Sequence, residues 1–180
     1  MATSGGGQLT ATRTATVPTP GPSYLAAAFL RCALGAGLLS AVADRWGLWG
    51  PPGTPHVSWG NYNNFLLYTA KLNPWCPTSC IPPLGALVTI AEAGLGVLLI
   101  FGFMTRVTAF LNGMMGLAFA TAMTFVLGIH APLNYEVLVF SAASFLLACL
   151  GPQTLSIDAS LNGKRRDRSS ASRSSVNSNA

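Results

Sequence analysis

Charge is scarce in this chain. Only 8% of its residues are Asp, Glu, Lys or Arg, where a soluble domain carries about 25%. The deficit is uneven: long windows hold almost no charge, and the charged residues lie between them. That distribution excludes an ordinary soluble core and reads as one polytopic membrane domain. Carboxylates are scarcer than cations, at five against ten, for a net charge of +5. Five of the cations fall in a polar tail after Asn162 with no nucleic-acid recognition motif beside them. Membrane topology therefore explains the excess better than a nucleic-acid partner. Other chemistry has no foothold either. There is no phosphate loop, dinucleotide fingerprint, nucleophile elbow or H-E-x-x-H. With His56 in an unrelated turn, His130 and scattered carboxylates make a poor metal site, so no metal is expected. No haem-ligand pair of histidines occurs in the apolar runs, and no covalent cofactor is expected.

What is present is apolar: 51% of residues are hydrophobic and the mean hydropathy is +0.47. The fold expected is all-α, a four-transmembrane-helix bundle with a short interfacial helix between the first and second spans. Residues 1–22, rich in Thr, Ala, Gly and Pro, read as a disordered cytoplasmic tail. The first span is read over Ser23 to Ala43, followed by Asp44-Arg45 and the interfacial Trp46 and Trp49. Between Val57 and Pro83 aromatic and aliphatic residues recur at helical spacing with Asn and Lys between them, as in a helix lying in the interface. The second span covers about Pro83 to Met104 and the third about Val107 to Ile129, with only Thr105-Arg106 between them as a tight turn. The fourth runs from Leu133 to about Gly151. Residues 160–180 read as a disordered, basic, Ser-rich cytoplasmic tail. The Lys and Arg balance puts both termini on the cytoplasmic side of the plasma (inner) membrane.

Glu92 is the leading chemical candidate, because a carboxylate at mid-depth in a span is costly and needs a partner or a cavity. Gly85, Thr89, Glu92 and Gly96 share one stripe of the second span, where small residues permit close helix approach. At about 1.5 Å per residue, Glu92 lies roughly 14 Å from the outer start of its helix and Arg31 roughly 12 Å from the inner start of the first. Across a core of about 30 Å the two match in depth, so Arg31 is the expected partner. Two plainer readings stand beside a catalytic one: a salt bridge that only fixes helix pairing, and an Arg31 that snorkels away from a protonated Glu92. His130, Asn134 and Glu136, with Asp44 and Arg45 on the same side, are read as a polar mouth for a quinone head group or small substrate, against ordinary capping and anchoring. Arg106, on the opposite side, is included as a binding candidate. Cys76 and Cys80, in C-x-x-x-C on the predicted outer side, read as a disulfide staple ahead of a redox centre.

The order of these pieces resembles the DoxX family, including its DoxD-like members. The resemblance rests on Arg31 and Gly35 in the first span, the aromatic segment NFLLYTAKLNPWCP, and EAGLGVLLIFGFMTR in the second span. It continues with N-x-E at Asn134 and Glu136, and an ending with Gly151, Pro152, Ser156 and Asp158. Asp44-Arg45 and Gln153 depart from the family pattern. The likeness covers residues 23–159 as a DoxX-like domain and implies a four-helix membrane protein. It also implies quinone-linked chemistry of the kind performed by membrane subunits of thiosulfate:quinone oxidoreductase. The expected function is such a subunit, with quinone as a possible ligand and a second subunit or soluble redox enzyme as partner. The alternative is a non-catalytic scaffold that recruits a soluble redox or detoxification enzyme.

Overall fold

A computed structural model describes residues 22–150. The expected terminal tails and the Gly151 to Asp158 ending lie outside the described residues. Within them every regular element is helical. In chain order these are α1 (Pro22–Arg45), α2 (Tyr62–Leu72), a single 3-10 turn (Thr78–Cys80), α3 (Ile81–Phe101), α4 (Thr105–Leu127), α5 (His130–Asn134) and α6 (Val137–Leu150). Spans within α1 and α4, and one running from Thr78 to Phe101, are long and apolar enough to cross a membrane. The fourth apolar segment is different from the continuous helix expected. It breaks at Tyr135–Glu136, where Glu136 adopts a left-handed φ of 55° before its carbonyl accepts from Phe140 N to start α6.

Four helices close a ring: α1 packs on α3, α3 on α4, α4 on α6 and α6 on α1. Small residues bring the backbones together. A Cβ at Gly35 would stand 2.8 Å from the Gly96 carbonyl oxygen and 2.8 Å from Ile100, so α1 and α3 touch backbone to backbone there. The α4–α6 contact adds hydroxyl and amide bonds. Ser141 Oγ donates to the Gly113 carbonyl at 2.6 Å, and Asn112 Nδ2 donates to Ser144 Oγ at 2.9 Å. Phe145 lies over Gly113, where a Cβ would meet its ring at 2.7 Å.

The turn joining α3 to α4 is Gly102-Phe103-Met104, not Thr105-Arg106, which already belong to α4. Gly102, at φ 67°, ends α3 by donating to the Leu98 and Leu99 carbonyls while Phe103 N reaches Leu98. This left-handed closure needs a glycine and lets α4 begin at once. The expected helix between the first two spans is present as α2. Asn61 caps it by accepting from Asn64 N at 2.8 Å.

The distribution of polarity is inverted relative to a soluble protein. Phe29, Ile90, Phe125 and Val139 are exposed, while Glu92, Thr89, Thr108, Asn112, Ser141 and Ser144 are buried. A helix ring with polar groups inside and large apolar side chains outside suits lipid as its solvent.

Candidate functional site

Glu92 is buried within the ring, as its stripe predicts. Its partner is Arg45 and not Arg31. Arg45 Nη2 meets Glu92 Oε2 at 2.5 Å, and Arg45 Nη1 donates to Thr89 Oγ1 at 2.9 Å. Thr89 Oγ1 in turn donates to the Gly85 carbonyl at 2.8 Å, so one α3 stripe supplies three linked groups. Arg45 Nε has no acceptor among the described residues. The guanidinium lies instead over the Phe65 ring, 3.7 Å from its centroid, with the Trp59 ring at 5.2 Å. Arg45 is 2% exposed, so the aromatic faces replace water around a charge that cannot be neutralised.

The reason that Arg31 is displaced is helix register. The contact of Gly35 with Gly96 and Ile100, and of Leu39 with Gly96, sets the antiparallel pairing of α1 and α3. Carried along both helices, it brings Arg45 level with Thr89 and Glu92. It puts Arg31, also buried, level with the Gly102–Met104 turn at the far end. Depth counted from assumed helix ends fails because α3 projects well beyond the end of α1. The projecting part of α3 is covered by α2: a Cβ at Gly85 would stand 2.4 Å from Leu66 and 3.3 Å from Phe65.

Asp44 does not line a mouth. It is buried, and its carboxylate gathers the backbone N–H groups of Ser58, Trp59 and Gly60 at 3.0, 2.9 and 3.3 Å. That latch holds the 46–60 loop over the end of α1 and fixes Trp59 against Arg45. Asp44 and Arg45 thus divide two tasks between consecutive residues. Trp46 stacks on Tyr62 at 5.9 Å, and Trp49 Nε1 donates to the Ser40 carbonyl at 3.1 Å, securing the same loop.

His130, Asn134 and Glu136 are exposed around α5, which packs on α4 and α6. They share the loop end of the ring with the Arg45 pair but not a cavity with Asp44. Arg106 is exposed at the other end, where its Nε donates to the Ala148 carbonyl at 3.3 Å, toward the end of α6. Cys76 and Cys80 lie in the turn between α2 and α3, both as free thiols. Burial and the Cys80 sulfur push the Cys76 thiol up. In α2, burial and then Tyr135 push the Tyr68 hydroxyl up. Among the described residues no three His, Cys, Asp or Glu side chains cluster to hold a metal ion.

Sequence reasoning missed Arg45, Thr89, Phe65 and Trp59 as one unit. The available signal was the Gly35 and Gly96 pairing, which fixes register without reference to a membrane surface.

No curated protein and no solved structure matches the chain. A family model does: the family described as "TQO small subunit DoxD" matches residues 60–178. The match takes in α2 to α6, and with them Glu92, Thr89, Phe65 and both cysteines of the turn, while α1 with Arg45 precedes it. With three helices able to span a bilayer and polarity turned inward, this is a multi-pass membrane protein, and the chain belongs to the DoxD family.

Proposed function

We propose that the chain is a membrane subunit of a thiosulfate:quinone oxidoreductase-type complex. In this reading it crosses the plasma (inner) membrane four times, with α5 and α6 forming the fourth crossing and both termini cytoplasmic. The observation that carries the reading is the buried Glu92–Arg45 pair inside a ring of which α3, α4 and α6, with Glu92, fall within the DoxD match. Reduction of a quinone takes two electrons and two protons. A carboxylate held within the bilayer-spanning ring, with its charge balanced by Arg45, is a group that can pass a proton where water is scarce. Arg31, at the opposite end, is assigned to the cytoplasmic half, and Arg106 to anchoring α6 there. The exposed His130, Asn134 and Glu136 face the thiosulfate side or a partner subunit.

The test is quinone reduction by the solubilised complex with thiosulfate as donor. Wild-type turnover that Glu92→Gln abolishes while assembly persists supports the reading. Inert protein that co-purifies with a soluble enzyme instead establishes the scaffold alternative. Reporter fusions after Gly163 and within Gly60 to Asn64 should give opposite signals; matching signals would end the four-crossing topology.

A further inference from the structure

The turn between α2 and α3 holds chemistry that the buried pair does not use. Two successive hydrogen bonds shape it: Cys76 N donates to the Asn73 carbonyl and Cys80 N to the Pro77 carbonyl, each at 2.9 Å. Pro74, Pro77, Pro82 and Pro83 leave this segment few alternative conformations. The result is two free thiols four residues apart in one turn, Cys76 half-buried and Cys80 exposed. Beside them lies a groove of about 710 Å³. Asn73 and Trp75 form one wall, and Met114, Leu117, Thr121 and Phe125 of α4 form the other. Trp75 adjoins Cys76 in the chain, and Asn73 holds its N–H, so the groove and the thiols share one turn.

We infer that Cys76 and Cys80 form a dithiol that a membrane quinone, seated in the α4 groove, oxidises to an intramolecular disulfide. The inference rests on the quinone-linked reading above and gives it a place. The groove opens through exposed Leu117 and Phe125 on the outer surface of α4, so a ligand enters sideways from lipid. Its lining is apolar apart from the amide of Asn73 and the hydroxyl of Thr121, at the scale of a planar ring carrying two carbonyls and an apolar tail. The reaction balances without a further reagent. Both S–H bonds break, one S–S bond forms, and two electrons with two protons convert the quinone to its quinol. Because burial and the neighbouring sulfur push the Cys76 thiol up, oxidation speeds as pH rises above neutral.

The experiment uses the full chain in lipid nanodiscs with Cys32→Ser and Cys149→Ser, reduced, desalted anaerobically and given duroquinone without thiosulfate. Duroquinone has no open ring position and so forms no thiol adduct by addition. The expected result is one quinol per chain, loss of both thiols, and a peptide lighter by two hydrogens spanning Cys76 and Cys80. Cys76→Ser and Cys80→Ser should each abolish quinol formation. Leu117→Trp, which fills the groove, should slow it several-fold while leaving oxidation by water-soluble diamide unchanged. Thiols that diamide joins but duroquinone leaves intact would overturn the assignment to quinone. Thiols that diamide cannot join would overturn the dithiol, and a Leu117→Trp rate equal to wild type would overturn the groove. Thiosulfate-driven turnover that survives Cys76→Ser would leave the subunit reading standing while removing the dithiol from its electron path.

Discussion

Removing Arg45 should injure this protein more than removing Glu92, and the structure says why. Arg45→Met leaves Glu92 buried opposite Thr89 without a counter-charge. Breaking a buried pair from one side costs about 3–5 kcal/mol in soluble proteins. Loss of the charge over Phe65 and Trp59 adds about 0.5–2 kcal/mol. In lipid the surviving carboxylate escapes in part by taking up a proton, so the expected total is about 3 kcal/mol. Glu92→Gln keeps an acceptor for the guanidinium, which retains Thr89 and both aromatic faces; its expected cost is about 1–2 kcal/mol. The double variant should cost less than the sum, with a coupling of about 1–3 kcal/mol. Unfolding in detergent micelles, followed by tryptophan emission, reads all four corners of the cycle, with Trp59 close to the changed charge. Arg31→Met combined with Glu92→Gln serves as the comparison and should be additive. Additivity at Arg45 together with coupling at Arg31 would refute the register on which the site is built.

Three further outcomes are expected. Asp44→Ala removes the acceptor of three loop N–H groups, should cost about 1–3 kcal/mol, and should speed protease cleavage between Trp49 and Gly60. Gly35→Ala forces a methyl group against the Gly96 carbonyl and should destabilise by about 1–3 kcal/mol, while Gly94→Ala, with open space around it, should be neutral in the same unfolding assay. Alkylation of Cys76 should reach half its maximal rate at a higher pH than an ordinary thiol, and Cys80→Ser should bring that midpoint down, since the neighbouring sulfur is part of what raises it.

The helices were legible because hydropathy writes them directly. α1, α3 and α4 appear within a few residues of the expected spans, and α2 shows in the helical spacing of Phe65, Thr69 and Leu72. Glu92 was legible as a buried charge because nothing else in its window is polar enough to explain it. Its partner was hidden, because pairing depends on how far α3 slides past α1. That slide is decided by Gly35 and Gly96, whereas the depth arithmetic placed the starts of the two helices at opposite bilayer surfaces, although the starts themselves, Pro22 and Ile81, lie within two residues of those expected. Asp44 was misread as a mouth residue because its acceptors' partners are backbone groups of a loop, which carry no side-chain signature. The break at Glu136 was likewise silent, since a left-handed glutamate leaves no mark in composition.

The offset between α1 and α3 also orders events at the ribosome. α1 is made first and carries Arg45 at its trailing end, while Thr89 follows 44 positions later. At synthesis rates of about 5–20 residues per second, Arg45 waits roughly 2–9 s before α3 can receive it. During that interval the guanidinium belongs in the hydrated surface layer, holding the end of α1 at the border of the bilayer. The arrival of Thr89 and Glu92 supplies the partners that Arg45 keeps in the finished ring. The ion pair therefore marks the moment at which α1 ceases to be a separate helix and becomes one wall of the ring.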